Sequence, residues 1–308
     1  MLLLVGGLLL FLFGVVLMVR GLEGAAGPRV YRWLRRLTGT PWLSLFAGVA
    51  AAALLHSSSA VTVIVVGLVE TGLLSLPAAV AVILGANIGT TATAQLVSSS
   101  LTGYALAFGV TGLLALIGGR TGGLHRLSTS SWGVALLGFS LLLAGMEVMS
   151  GGAAIVTGRE RWLLVLAAIS KDPVLGVLGG AAITAVIQSS TAATGLVIAL
   201  TRQGLVDLRG AVSLVIGSNV GTCATALLAS LGTGVAGKRA AVVNLMVNVL
   251  GALVFIPLLS PFVKLVAVTG SEPGRQVANA HTLFNLLSTV AMFPFINTLA
   301  RLASSLVK

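Results

Sequence analysis

The chain has 308 residues, of which 57 % are hydrophobic and only 8 % charged, with a mean hydropathy of +1.09; soluble globular domains carry about 25 % charged residues. That shortage of charge excludes a soluble domain and makes the chain an integral membrane protein. The net charge of +11 does not point to nucleic acid, because the 18 Lys and Arg fall in short gaps between apolar runs, as membrane flanks do, with no aromatic-rich basic face. A single cysteine, Cys223, excludes an intramolecular disulfide and leaves no cysteine metal cluster.

Residues 2–19 form the first apolar run, long enough to span roughly 30 Å of hydrocarbon. No basic stretch precedes it and no small-residue cleavage site follows, so it reads as a retained helix and not a signal peptide. A basic segment comes next, with Arg20, Arg29, Arg32, Arg35 and Arg36 against Glu23. It is expected to form an amphipathic interfacial helix with Trp33 and Trp42 near headgroup level. Pro41–Glu70 is interrupted by His56-Ser57-Ser58-Ser59. Its apolar legs, 42–55 and 60–69, are each too short to cross, which favours a re-entrant hairpin over one long tilted helix with a Ser-rich middle.

Residues 74–98 carry Gly85-Ala86-Asn87-Ile88-Gly89-Thr90, where two glycines four apart flank an asparagine and permit unwound backbone. A helix at 104–119 completes the first half. The second half repeats the plan with a helix at 131–149, a hairpin at 173–202, a broken helix at 206–230 and a helix at 239–256. A helix at about 279–299 closes the chain, with 258–269 half-inserted. The expected fold is an all-α integral membrane protein built of two inverted-topology repeats, 1–130 and 131–257, followed by a C-terminal helical region, 258–308.

The duplication rests on sequence identity. Segment 41–98 aligns with 173–230 without a gap, at a constant offset of 132, with 25 identities in 58 positions. Gly7, Gly14 and Met18 recur as Gly138, Gly145 and Met149. Duplicated halves with interrupted helices mark secondary transporters. If each hairpin returns to its own side, the first repeat crosses three times and the second enters inverted. Placing 20–40 in the cytoplasm puts 11 Lys and Arg inside and 7 outside. The expected topology is therefore an inner (plasma) membrane protein with its N-terminus outside and its C-terminus cytoplasmic.

A membrane site for a tetrahedral oxyanion must replace water with hydrogen-bond donors. Backbone N–H groups at a helix start, together with Ser and Thr hydroxyls, supply them along with the positive end of a helix dipole. Ser57, Ser58 and Ser59 and their counterparts Ser189, Ser190 and Thr191 fit that role, joined by Asn87 and Asn219. A hard cation wants oxygen ligands. The candidates are the carbonyls and side chains around Gly85, Asn87 and Thr90 and around Gly217, Asn219 and Thr222, with His56 and Gln188 heading the tips. Thr62, Thr194, Thr91, Asn248, His281 and Asn285 are supporting candidates. Small residues also pack helices in membranes, so one Ser tract alone would mean little; two matched tracts, each followed by a matched G-x-N-x-G-T, carry the argument. Spacing by itself gives an anion and a cation near the midplane.

The paired Gln/His-Ser-Ser-Ser/Thr tips and Gly-Ala/Ser-Asn-Ile/Val-Gly-Thr segments, together with Ala280-His281-Thr282-Leu283-Phe284-Asn285, resemble the type II sodium–phosphate cotransporter family, particularly its bacterial members. The resemblance covers nearly the whole chain. It implies sodium-coupled symport of inorganic phosphate by alternating access, with phosphate and sodium ions held at the two tip regions. No organic cofactor and no nucleic acid partner are expected, and the expected surroundings are the lipid bilayer, with a homo-oligomer of the chain as a candidate assembly. Three departures stand out. His56 replaces the family's first-half glutamine; Asn244-x-x-x-Asn248 replaces a His-x-x-x-Asn; and the sequence ends at Lys308 without the PhoU-like regulatory domain of many bacterial relatives. Sulfate, arsenate or a small carboxylate remain alternative substrates, and an anion channel is a competing class. An intramembrane Ser hydrolase on His56 and Ser57 is disfavoured, since no acid lies near and the second copy has no His. Glu70 and Arg202, at matched hairpin ends, are expected to be solvated.

Overall fold

In a bilayer, apolar runs satisfy their own backbone by forming helices. The computed structural model describes residues 2–36, 39–121, 126–156 and 160–308, and these contain sixteen α-helices and no strand. In order they are α1 (Leu2–Arg36), α2 (Pro41–Leu55), α3 (Ser58–Glu70), α4 (Leu76–Gly89), α5 (Thr91–Ser98), α6 (Ala105–Thr121), α7 (Arg126–Val156) and α8 (Glu160–Lys171). The rest are α9 (Pro173–Ile187), α10 (Ser190–Arg202), α11 (Leu208–Gly221), α12 (Cys223–Ser230), α13 (Val235–Phe255), α14 (Leu259–Ala267), α15 (Pro273–Met292) and α16 (Ile296–Leu306). Among the described residues, six stretches are long and apolar enough to cross a membrane: Leu2–Ala25, Leu76–Ser98, Ser130–Gly152, Leu208–Ser230, Val235–Phe255 and Pro273–Leu306.

Three expectations need correction. The basic segment does not form a separate helix: α1 continues past the apolar run, with Gly21 against Ala135 and Gly24 against Ser131 of α7, and runs without interruption to Arg36. Arg159 and the side chains of Arg29, Arg32, Trp33, Arg35, Arg36 and Arg161 lie outside the described residues. The Gly85–Thr90 and Gly217–Thr222 stretches are not unwound. α4 and α11 stay helical through both glycines and turn only at Thr90 and Thr222, which themselves keep right-handed helical angles. The closing helix starts at Pro273 and passes through a 3₁₀ turn at Phe293–Phe295 into α16. Helix α8 had no counterpart among the expected elements.

The glycines explain why the helices stay wound. A Cβ on Gly48 would strike the Val82 carbonyl, and one on Gly85 the Leu45 carbonyl, so α2 and α4 touch backbone to backbone. The same pairs recur 132 residues on, where Gly180 faces Leu214 and Gly217 faces Val177 in α9 and α11. Close approach, which small residues permit, is their function. The capping residues repeat at the same offset: Thr40 and Asp172, Ser57 and Ser189, Ser75 and Asp207 each accept from the first turn of their helix.

Helices α1 and α7 pack antiparallel. Gly7 abuts Met149, Gly14 abuts Leu142, Gly21 abuts Ala135, and conversely Gly138 abuts Met18 and Gly145 abuts Phe11. The contact is therefore self-complementary between equivalent residues. Beyond it the halves diverge. α6 lies against α7, with Phe108 edge-on to Phe139, whereas α13 and α15 enter the centre. At one end of the bundle Glu70 accepts the Gly234 and Gly237 N–H groups, both at 2.8 Å, and Arg239 Nε donates to the Val307 carbonyl at 3.0 Å. At the other, Arg202 bonds Glu272 Oε1 and the Ser98 carbonyl, both at 2.8 Å, and Arg209 reaches Ser260 at 3.0 Å.

Candidate functional site

Each hairpin tip is built the same way. α2 ends at His56 with φ 50°, and α9 at Gln188 with φ 57°; these are the only non-glycine residues with positive φ among the described residues. A left-handed residue reverses the chain in a single step, at a cost of roughly 1–2 kcal/mol for a residue bearing a Cβ. The next residue caps the following helix. Ser57 Oγ accepts the Ala60 N–H at 3.1 Å, and Ser189 Oγ accepts the Ala192 N–H at 3.2 Å. The carbonyls of the same two serines accept from Val61 at 3.4 Å and Ala193 at 3.0 Å. The first two N–H groups of each helix, at Ser58 and Ser59 and at Ser190 and Thr191, have no partner among the described residues, as the geometry of a helix start requires. The side-chain hydroxyls of these four residues form no hydrogen bond among the described residues.

Both tips open into one cavity of about 350 Å³. His56, Ser57, Ser58 and Ser59 line one side, Gln188, Ser189, Ser190 and Thr191 the other, and Thr90 joins them. Nine of the candidate residues thus come together. The helix starts of α3 and α10 aim their positive ends at the same space. The third wall is α1, through Leu12, Val15, Val16 and Val19, followed by Arg20 and Glu23 at the exposed end. Leu12 lies near the middle of the apolar Leu2–Ala25 stretch, and Glu23 is about 16 Å further along the helix axis. The α1 wall was not legible in the sequence, because helix neighbours across the bundle leave no local pattern.

The remaining candidates sit outside the cavity in buried polar clusters. Asn87 Nδ2 donates to Asn248 Oδ1 at 3.2 Å, and Asn248 in turn donates to the Asn244 carbonyl at 2.8 Å. In the other half Asn219 Nδ2 donates to Asn285 Oδ1 at 3.0 Å, His281 Nε2 lies 3.0 Å from Asn219 Oδ1, and Asn285 Nδ2 donates to the His281 carbonyl at 2.8 Å. Since the amide oxygen accepts, Nε2 of His281 carries its proton; Nδ1 is buried without a partner. Each asparagine of α4 and α11 therefore meets an i, i+4 pair, on α13 for Asn87 and on α15 for Asn219. Gly85 and Gly217 lie at helix–helix contacts. Thr62 and Thr91 bond the Ser58 and Ile88 carbonyls at 2.9 and 2.8 Å, and Thr222 bonds the Asn219 carbonyl at 2.6 Å. The Thr194 hydroxyl is buried and unpaired. His56 Nδ1 lies 2.8 Å from Thr93 Oγ1, while the equivalent Thr225 hydroxyl is buried without a partner.

The donors and acceptors in these clusters are hydroxyls, amides, carbonyls, imidazoles and backbone N–H groups, joined by the buried Cys223 thiol, which donates to the Asn219 and Asn244 carbonyls at 3.6 and 3.4 Å. Hydroxyl, amide and carbonyl groups bind and release ions without covalent chemistry. A helical membrane protein with two such tips in one cavity is of the transporter class. The profile of the Na+/Pi-cotransporter family matches residues 10–151 and 141–288, and the chain belongs to that family. It is 30 % identical over 301 residues to "Uncharacterized protein YqeW" of Bacillus subtilis, covering 97 % of this chain and 96 % of that one. It is 27 % identical over 302 residues to "Putative inorganic phosphate export protein YjbB" of Salmonella typhimurium, where 97 % of this chain spans 54 % of the relative. Over 143 residues, 44 % of this chain and 22 % of the relative, it is 30 % identical to "Sodium-dependent phosphate transport protein 2A" of Rattus norvegicus. No solved structure matches.

Proposed function

We propose that the chain carries inorganic phosphate across the membrane by alternating access, coupled to sodium, with the anion held between the two hairpin tips. The observation that carries this reading is the meeting of both tips, with their four unpaired N–H groups and free hydroxyls, in one cavity. A tetrahedral anion offers acceptors in several directions, and two helix starts from opposite sides can answer them at once. The oxygen-rich clusters around Asn87 and Asn219, just beyond the tips, suit sodium as the co-transported ion. Membership of a family with sodium and phosphate in its description supports the same pair of substrates.

Alternating access requires two related halves, and the proposed repeats are 1–130 and 131–257, with 258–308 completing the bundle. Inversion is supported by the antiparallel α1–α7 pair and by the end contacts. Glu70, Gly234, Gly237, Arg239 and Val307 share one end, and Ser98, Arg202, Arg209, Ser260 and Glu272 the other. An inverted arrangement with hairpins that return to their own side requires that sorting. The short tips meeting beside the middle of α1 support re-entrant hairpins. With the basic end of α1 in the cytoplasm, the cavity opens inward and the N-terminus lies outside, in the plasma membrane.

An inward-opening cavity also accepts cytoplasmic phosphate, and the relative from Salmonella typhimurium bears the name of an export protein. Export is therefore the second reading of direction. Radiolabelled phosphate flux in proteoliposomes, with a sodium gradient imposed inward, outward or not at all, tests both. Flux that follows the sodium gradient supports symport; flux indifferent to sodium removes the coupling. Competition by sulfate and arsenate tests the choice of anion.

A further inference from the structure

The tips offer only neutral donors, yet the proposed substrate carries one to two negative charges and loses part of its hydration in the cavity. A full positive charge nearby lowers that cost far more than a further hydroxyl does. Among the described residues lining the cavity, Arg20 is the one such charge, His56 being an imidazole. It stands at the exposed end of the α1 wall, just beyond Val19, and forms no ion pair or hydrogen bond among the described residues; the one ion pair found there joins Arg202 and Glu272. Glu23, one turn further along, lines the same mouth and forms no ion pair with Arg20, so the guanidinium keeps its donors free while the carboxylate lowers the net charge of the mouth.

We propose that Arg20 recruits the anion into the cavity and sets its affinity, acting as a specificity residue at the mouth, while Glu23 opposes it. The proposal rests on the phosphate reading above. It differs from the ordinary role of an arginine at the end of a transmembrane helix, which is to anchor the helix at the interface. Anchoring changes how much protein folds, whereas recruitment changes binding and its dependence on salt. A guanidinium also matches two phosphate oxygens at once, so lysine should serve less well but retain the charge.

The test is equilibrium binding of radiolabelled inorganic phosphate to the purified full chain in detergent, at fixed sodium, with ionic strength raised by choline chloride. Arg20→Gln is expected to weaken binding roughly tenfold at low ionic strength, with the gap to wild type closing as salt screens the charge. Arg20→Lys is expected to stay within roughly threefold of wild type. Wild-type affinity and salt dependence in Arg20→Gln would overturn the role of Arg20 and leave the phosphate reading standing. Absence of phosphate binding by wild type would overturn that reading and this proposal with it. Should Arg20→Gln yield no monodisperse protein, Glu23→Gln decides: tighter binding supports the proposal, and unchanged binding overturns it.

Discussion

Glu70 and Arg202 occupy the same position in the two halves, 132 residues apart, and each ties a hairpin end to the start of a central helix. Glu70 does so directly, its two carboxylate oxygens accepting the N–H groups of Gly234 and Gly237 at the start of α13. Arg202 does so through Glu272, whose carboxylate accepts from Gly274 at 3.1 Å and Arg275 at 2.6 Å at the start of α15. A carboxylate thus sits on the first turn of both central helices, contributed by α3 in one half and by the capping residue of α15 itself in the other. Neither Glu70 nor Arg202 is merely solvated, as their positions in the sequence suggest. Removing the cap by Glu70→Ala is expected to cost about 1 kcal/mol, and Arg202→Ala a similar amount. The two effects should add in the double variant, because the sites lie at opposite ends of the bundle. Thermal unfolding of the detergent-solubilised protein checks both; a more than additive loss would mean the two ends are coupled.

Glu272 also predicts a pH dependence. Burial raises its pKa, but the hydrogen bond and charge of Arg202, with the Arg275 and Gly274 N–H groups, outweigh that and leave it below the ordinary value of 4.5. A folded-state pKa below the unfolded one adds stability above the unfolded value, and that stability is lost as pH falls through the lowered value. Acidification below 4.5 should therefore lower the melting temperature of wild type more steeply than that of Glu272→Gln. Equal slopes would show that the carboxylate contributes nothing through its ionisation.

Backbone contact between α2 and α4 makes Gly85 intolerant of a side chain. Gly85→Val would drive two methyl groups and a Cβ into the Leu45 carbonyl, and overpacking of this kind costs about 1–3 kcal/mol or more. Gly67→Ala is the control, since a Cβ there meets nothing within 4 Å. Size-exclusion profiles should show loss of monodisperse protein for Gly85→Val and not for Gly67→Ala. Gly217→Val should behave as Gly85→Val does, given its matched contact with Val177.

These glycines also show what the sequence could and could not reveal. The offset of 132 marked the repeat and the two tips, because a polar break in an apolar run is a local feature; that Ser57 and Ser189 cap the following helices and that His56 and Gln188 turn the chain emerged only from the backbone. Gly85 and Gly89 were equally visible, but a glycine that unwinds a helix and one that lets another helix approach look the same in sequence. The partners of Asn87 and Asn219 were hidden for a related reason. Asn248 and Asn285 belong to helices that are not equivalent in sequence, α13 and α15, and only the packing of the bundle brings them to equivalent asparagines. Arg20 belonged to the basic flank in the sequence; its place on the cavity wall follows from where α1 lies against both hairpins.

The two asparagines should not be equally important. Asn219→Ala would strip a partner from both His281 Nε2 and Asn285 Oδ1, two groups buried with the asparagine itself. Asn87→Ala removes one donor from Asn248, at a partly buried position. With each buried group left unpaired costing about 1–3 kcal/mol, Asn219→Ala is expected to lower the melting temperature more than Asn87→Ala. If the clusters also hold sodium, both variants should raise the sodium concentration needed for half-maximal phosphate flux. Stability loss with unchanged sodium dependence would make the clusters purely structural.

His56 is the clearest asymmetry between the tips, and its backbone says which substitution is informative. The residue holds φ 50°, and Gln188 holds φ 57° at the equivalent turn, so glutamine can take the same strained conformation. The imidazole Nδ1 lies 2.8 Å from Thr93 Oγ1, a contact that a glutamine amide can also make as donor or acceptor. If the imidazole serves only as such a group, His56→Gln should fold, carry phosphate and keep the wild-type dependence on pH between about 5.5 and 8, the range in which a histidine titrates when it acts as a switch. If His56 couples protons to transport, the variant should lose that dependence while still moving phosphate. The expected outcome is the first, because the second tip carries a glutamine, Gln188, in the same backbone conformation at the equivalent position.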